Sequence, residues 1–369
     1  MSGTPNGVSI STLPDDRVDE FLAFGAHAYP NRDYAQHFVR YVKKNPLQAE
    51  NQETKILIAT MNGLLVGQYV LSPFNYWFCG EQARGFWGWD YYLEPRSRHT
   101  GLGGLLAIRA IRGYQPYFAI GPNQEALDIH LALKTRIIGR LRQYLWLRGF
   151  AGSLAAVWAR MQPTSMDTTV PPPPISATFP EDVHGKSMRW VRSEDMSKWR
   201  FSPWRPQAIE WERSAKFLTW RFLQEPEKYA IYFLDHITGR FYFVVRRHRW
   251  KGLNVILLVD YRGPFTDGPV FASMLAACKN IARALRYHGV LTMSSHVFFD
   301  RLLRKSRFRR FRGESREFPI FSNAKLGEGR SGTRRELFAT IADSDLEWSL
   351  RVNRSTGGAP GGAIEVPHV

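Results

Sequence analysis

Residues 94–106, EPRSRHTGLGGLL, set two arginines, a histidine and three glycines between two apolar runs of different period. Ahead of them RGFWGWDYYLEP (84–95) alternates as a strand does, and behind them GLLAIRAIRGY (104–114) repeats its apolar residues at helical spacing. The chain must leave a strand and enter a helix through a glycine-rich corner. Helix N-termini expose unpaired N–H groups at the positive end of the helix dipole, and glycines there let the backbone close around an anion. A phosphate or pyrophosphate is the simplest occupant. The dinucleotide fingerprint needs a third Gly or Ala where Leu106 stands, and the full P-loop pattern occurs nowhere in the chain, so neither of those classes fits.

The rest of the chain surrounds that corner with more strands and helices. VSISTL (8–13) reads as a strand, followed by helical spacing over 16–30 and 32–45. KILIAT (55–60), LLVGQYVLS (64–72) and the run over 84–95 then form an antiparallel meander with turns at Asn62-Gly63 and Cys79-Gly80-Glu81. After the glycine helix come a strand over 117–121, a helix over 123–135 and strand-like sequence over 137–148. MDTTVPPPPISATFPED (166–182) continues neither a helix nor a central strand and marks a linker.

Beyond the linker the order returns in outline. A strand over 188–192, a helix over 211–223 and strands over 229–235, 239–248 and 253–263 precede a long helix over 269–289, a strand over 290–296 and a helix over 298–307. ELFATIADSD (336–345) is expected to close the sheet. Two domains also follow from length: 369 residues with 44% hydrophobic content bury a sizeable core. The expected organisation is an N-terminal domain over 1–160, a linker over 161–185, a C-terminal domain over 186–350 and a tail over 351–369.

Composition excludes several classes. Twelve Trp, 15 Tyr and 24 Phe argue against disorder. The apolar stretch over 64–80 is interrupted by Gln68, Ser72 and Asn75, so no membrane span is expected, and MSGTPNGVSIS lacks the pattern of a secretory signal. Two cysteines are too few for a disulfide framework or a cysteine-rich zinc site, which fits a cytoplasmic protein that needs no metal. The net charge of +17 is uneven: residues 1–150 hold 16 Lys or Arg against 12 Asp or Glu, the remainder 34 against 21. RLLRKSRFRRFRGESR (301–316) has eight basic side chains and one acidic. Such a run meets nucleic acid or an anionic membrane, or else is a solvated helix face with its arginine stems on the core; the second is the expectation.

The corner also matches a known pattern. Arg98-His99-Thr100-Gly101-Leu102-Gly103 resembles the R/Q-x-x-G-x-G/A pyrophosphate motif of the GNAT acyltransferase superfamily, preceded by Leu93-Glu94-Pro95 and followed, past a strand, by Asn123 and Ala126 as in that family. His130 stands where the family has a tyrosine. The resemblance covers residues 8–148. It implies an α+β fold of two tandem GNAT-like domains, each a mixed, mostly antiparallel twisted sheet flanked by helices. The second domain is expected to be degenerate, since no such motif follows its strand over 253–263.

The resemblance further implies an acyl-CoA-dependent acyltransferase using acetyl-CoA or another acyl-CoA. Its pyrophosphate would lie on Arg98, His99, Thr100, Gly101, Leu102, Gly103 and Gly104, its pantetheine arm along backbone of Tyr91 and Leu93, with Asn123 in contact. The acceptor is a small-molecule or saccharide amine or hydroxyl, such as an amino sugar or surface-polysaccharide precursor. Thioester acyl transfer needs a proton for the departing thiolate and a base for the acceptor. His130 is the candidate general acid, as an imidazolium. Asp90 is the candidate general base, or instead a buried acid paired with an arginine; strand alternation sets it with Tyr92 on one face, and Trp89 with Tyr91 on the other. His27 and Tyr29 are weaker acceptor-side candidates. Trp220, Arg221, Asp260 and Asp343-Ser344-Asp345 are candidates for an acceptor cleft in the second half. The alternative function is an idle scaffold that holds an anionic partner through 301–316.

Overall fold

A computed structural model of the chain describes residues 7–30, 32–47, 53–121, 124–150, 152–154, 178–204, 208–264, 267–311, 317–324, 336–340 and 342. Asn123, Asp343, Ser344 and Asp345 lie outside the described residues, as do most of the proline-rich insert and residues 312–316.

The first run of elements comprises β1 (Val8–Thr12), α1 (Val18–Ala28), α2 (Tyr34–Phe38), β2 (Lys55–Met61), β3 (Leu64–Phe78), β4 (Glu81–Leu93), α3 (Leu102–Gly113), β5 (Tyr117–Ile120), α4 (Gln124–Ala132) and β6 (Arg136–Leu147). A second run follows with β7 (Asp182–Gly185), β8 (Met188–Arg192), β9 (Ile209–Trp211), α5 (Ala215–Leu218), β10 (Tyr229–His236), β11 (Gly239–Trp250) and β12 (Leu253–Arg262). It continues with α6 (Gly268–Ala284), β13 (Gly289–Ser294), α7 (Val297–Lys305), β14 (Arg309–Arg310), β15 (Glu317–Ser322) and β16 (Leu337–Phe338). Two-residue turns close the hairpins. Asn62-Gly63, Cys79-Gly80 and Lys251-Gly252 all have positive φ at both residues, the twist that matches flanking strands.

All the strands join one sheet in the order β1-β2-β3-β4-β5-β15-β6-β13-β12-β11-β10-β8-β7, with β9, β14 and β16 beside it. The fold is α+β, as expected. Pairs β4·β5, β12·β13 and β9·β16 are parallel, and the other pairs are antiparallel. The two runs interlock: β6 of the first pairs with β13 of the second, and β15 of the second lies between β5 and β6 of the first. The strand expected over 336–345 is corrected. Its described part is the two-residue β16 against β9, and the strand that closes the sheet is β15. The helix expected over 211–223 is also shorter, because residues 209–211 are strand and α5 starts only after the Ser214 cap.

Around β4 the two faces of the sheet are packed differently. One face carries α3 over Leu57, Tyr69, Leu71, Leu93 and Tyr117; the other carries α1 and α2 over Ile56, Ile58, Leu65 and Val70.

One local pattern occurs twice. Arg32 precedes the cap Asp33, whose carboxylate accepts from Gln36 N–H at 3.0 Å; Arg213 precedes the cap Ser214, whose hydroxyl accepts from Phe217 N–H at 3.2 Å. Each cap opens a single α-turn that widens into a π-turn, over Val39–Lys43 and Thr219–Leu223. Arg40 and Arg221, each eight residues after the first arginine, sit in those π-turns. There the two units clasp: Arg40 donates to the Arg221 carbonyl, and Trp220 Nε1 donates to the Arg40 carbonyl at 3.0 Å.

Candidate active site

Strand β4 leaves its neighbour soon after meeting it. Phe86, Trp87 and Gly88 pair with Tyr117, Phe118 and Ala119, and from Trp89 onward β4 has no partner in β5. A bulge sits at the point of parting: Gln68 faces Tyr92 and Val70 faces Trp89, so Asp90 and Tyr91 together oppose Tyr69. Asp90 takes a positive φ of 48° there. β4 and β5 thus part here, ahead of the glycine corner that follows β4.

The corner is a 3-10 turn over Pro95–Thr100 feeding α3 through Gly101, at φ 77°. That left-handed conformation is cheap only for glycine. No side chain caps α3, and the first in-register bond is Leu105 N–H to the Gly101 carbonyl, at 3.1 Å. The N–H groups of Gly103 and Gly104 therefore point out of the helix with no intrahelical acceptor. A Cβ at Gly101 or Gly104 would meet nothing within 4 Å, whereas one at Gly103 would stand 2.7 Å from the Tyr91 hydroxyl. The mouth is open at two glycines and roofed by a phenol at the third.

The neighbouring groups suit an anion. Arg98 is half-exposed, holds the Leu93 carbonyl from Nε at 3.4 Å and touches Glu125 loosely at 3.5 Å. Thr100 Oγ1 donates to the Ser97 carbonyl at 2.6 Å, and His99 is exposed. Leu102 and the side chain of Leu93 belong to the core, so their contribution to a ligand is main chain alone. Tyr91 packs 4.8 Å from Tyr69, and burial raises its phenol to about 12. The fold thus brings Tyr91 and Leu93 of β4 next to Arg98 and Gly103 of the corner.

Structures already solved share this architecture. A probable N-acyltransferase of unknown function from Enterococcus faecalis V583 matches with a TM-score of 0.54 and 11% identity, covering 85% of this chain and 71% of that one. A GCN5-related N-acetyltransferase from Kribbella flavida matches at 0.51 and 12%, covering 85% and 70%. An N-myristoyltransferase from Saccharomyces cerevisiae, solved with bound myristoyl-CoA, matches at 0.51 and 10%, covering 87% and 80%. The chain has the GNAT fold. No family model and no curated protein matches the sequence.

Within this GNAT fold the two catalytic candidates flank β4 from opposite faces. His130 lies under β5, stacked between Tyr117 at 5.6 Å and Phe321 at 5.0 Å, with Nε2 3.3 Å from the Tyr117 hydroxyl. Tyr117 in turn hydrogen-bonds Tyr69. Burial lowers His130 to about 4, so it is neutral at pH 7. Proton donation as an imidazolium does not fit that environment; the side chain is one end of a buried His–Tyr–Tyr chain. Stability should therefore be lost as the pH is lowered from 6.5 to about 4. The folded pKa lies below the ordinary 6.5, so between pH 6.5 and about 4 the unfolded chain binds a proton that the folded chain refuses. His130→Gln should flatten that part of a melting-versus-pH curve by roughly 3 kcal/mol, measured by denaturant titration at several pH values.

Asp90 sits on the α1/α2 face, where Arg32 Nη1 meets its Oδ1 at 2.6 Å with both side chains buried. The alternative reading of Asp90, a buried acid paired with an arginine, describes this geometry. The second run repeats it: Arg213 Nε meets Asp260 at 3.0 Å, and Asp260 also accepts from Tyr242 and Thr340. Each arginine precedes a helix cap and each aspartate precedes a tyrosine, Tyr91 or Tyr261. A pair that recurs in the run without a glycine corner belongs to the architecture. The alternation reading is corrected as well: Trp89 packs on the α1/α2 face with Tyr92, because the bulge shifts the period by one residue.

Other residues fall at the junction of the runs. His37, Trp89, Tyr41 and Trp220 form an aromatic chain with centroid separations of 5.0, 6.0 and 5.7 Å, and burial, then Arg32, Arg221 and Arg40, keep His37 neutral. Arg221 contacts Tyr41, whereas Asp260 is sealed in the second run's interior, which removes it from any open cleft. Tyr29 stacks on Tyr34, and His27 is exposed. Among the described residues no group of three His, Cys, Asp or Glu is placed to hold a metal, and no helix is long and apolar enough to cross a membrane.

Proposed function

We propose that the chain transfers an acyl group from acyl-CoA to an amine or hydroxyl of a small-molecule or saccharide acceptor, at the slot beside β4 in the first run. The observation that carries this reading is the parting of β4 from β5 after three paired residues, beside a helix mouth at which Gly101 and Gly104 face open space. Acyl-CoA supplies an activated thioester. The main-chain N–H groups of Gly103 and Gly104 and the guanidinium of Arg98 hold the diphosphate, and the β4 backbone at Tyr91 and Leu93 orients the arm. Tyr91, outside the β3 ladder at the bulge, offers its N–H to the thioester oxygen.

In this reading the acceptor forms its bond to the thioester carbon as the C–S bond breaks, and its own proton passes to water. The departing sulfur takes the Tyr117 proton, which solvent restores between turnovers; burial keeps that phenol protonated at rest, and neutral His130 orients it through Nε2. Tyr117→Phe and His130→Gln should each lower kcat by about 10²-fold or more while KM for acyl-CoA stays within about twofold, measured by thiol release. A drop in KM-side binding alone would remove the relay from the chemistry.

The recurrence of the Arg–cap–π-turn unit and its aspartate supports a duplicated architecture, with units over about 1–160 and 186–350 joined by the proline-rich segment, the second lacking the cofactor corner. A thermal-shift screen of acetyl-CoA and longer acyl-CoA thioesters, followed by thiol release with amine and sugar acceptors, tests the whole reading. Absence of stabilisation by every thioester would leave the idle-scaffold alternative.

A further inference from the structure

Four segments, 136–154, 239–259, 268–299 and 301–311, contain eighteen Lys or Arg and no Asp or Glu. Three of them meet at one end of the sheet. Arg148 N–H donates to the His288 carbonyl at 2.8 Å, and His288 N–H to the Asn254 carbonyl at 2.8 Å, which draws together the end of β6, the start of β13 and the Lys251-Gly252 turn. Lys279 and Arg283 of α6 lie over the Trp146 ring at 5.3 and 5.2 Å. Arg307 is close enough to Lys279 to help lower its pKa to about 8, after burial and Arg283.

The cations at this end differ from other basic residues of the same segments. Arg142 is paired with Asp300, Arg240 with Asp235 and Arg310 with Glu317. Among the described residues, no carboxylate lies at ion-pair distance from Arg148, Arg283, Arg286, Arg307 or Arg309. In the same place the turn after β6 exposes two apolar side chains at i and i+4: Phe150 at 78% and Leu154 at 51%. That turn is held in place, since Gly152 N–H donates to the Arg148 carbonyl at 2.9 Å.

We propose that this end of the molecule docks on a membrane surface rich in anionic lipid headgroups, with Phe150 and Leu154 entering the interface and Arg148, Arg283, Arg286 and Arg307 meeting phosphates. Charge alone would serve nucleic acid equally well. The paired apolar side chains favour lipid, because basic residues gain from a negative surface while the apolar ones gain by leaving water. Strands β4, β5 and β6 run in one direction, so the docking end lies on the same edge of the sheet as the glycine corner. The inference stands apart from acyl transfer, and vesicle binding is measured without substrate.

The test is co-sedimentation of the full chain with phosphatidylcholine vesicles, with or without phosphatidylglycerol, at low and at high salt. Binding is expected on the anionic vesicles alone, weakening with salt. Arg148→Glu/Arg283→Glu/Arg286→Glu should weaken it by roughly hundredfold and Phe150→Ser by about tenfold, with melting temperatures unchanged. Equal binding to neutral vesicles, or none to anionic ones, overturns the proposal. So does a Phe150→Ser variant that binds as wild type while duplex RNA displaces the protein, which would assign the surface to nucleic acid.

Discussion

Gly104→Trp should abolish the stabilisation that an acyl-CoA thioester gives the wild type, while the ligand-free protein melts at an unchanged temperature. A Cβ at 104 meets nothing within 4 Å, so the larger side chain has room in the empty corner and the first turn of α3 gains a better helix former. With ligand present, the indole occupies the diphosphate seat and covers the outward N–H of its own residue. At a ligand concentration of about 100 Kd the wild type gains about 2.7 kcal/mol, and loss of nearly all of it is the expected readout in a thermal-shift titration. Equal stabilisation of variant and wild type would move the ligand elsewhere. Gly103→Trp is the less clean variant, because its Cβ already collides with the Tyr91 hydroxyl and perturbs the fold itself.

Asp260→Ala should destabilise the chain by about 3–5 kcal/mol, the cost of leaving a buried guanidinium without its counter-charge. Arg213 and Asp260 are both fully buried, and the carboxylate also holds Tyr242 and Thr340, so three donors lose their acceptor at once. Urea denaturation measures the loss. A change below about 1 kcal/mol would show that water or rearrangement satisfies Arg213, and the pair would then not be a determinant of the fold. Asp90, on the same reasoning, contributes to stability through its buried pairing with Arg32.

The glycine corner was legible because its chemistry is local. An αL glycine, an uncapped helix start and a preceding strand are consecutive in the chain, and Arg98 to Gly104 need no distant partner to present their N–H groups. The strands of the two meanders were legible for the same reason, since period-two alternation and Asn-Gly or Cys-Gly turns act over a few residues. The eight-residue spacing of Arg32 from Arg40 and of Arg213 from Arg221 gains its meaning only from the paired aspartates, which the chain places far from them.

What the sequence determined by itself was therefore the kind of each element and the anion-ready corner, because backbone propensity and helix-end electrostatics are set within a turn or two of the residue concerned. Tertiary structure alone decided the rest. The bulge that puts Trp89 beside Tyr92 depends on register with β3. The neutrality of His130 depends on Phe321, almost two hundred residues away, stacking on its ring. Strand β15, with Pro319 in a position that propensity forbids, exists because β5 and β6 flank it on both sides. Burial, pairing and register are properties of contacts between distant segments, and their energies outweigh the local preferences from which a sequence is read.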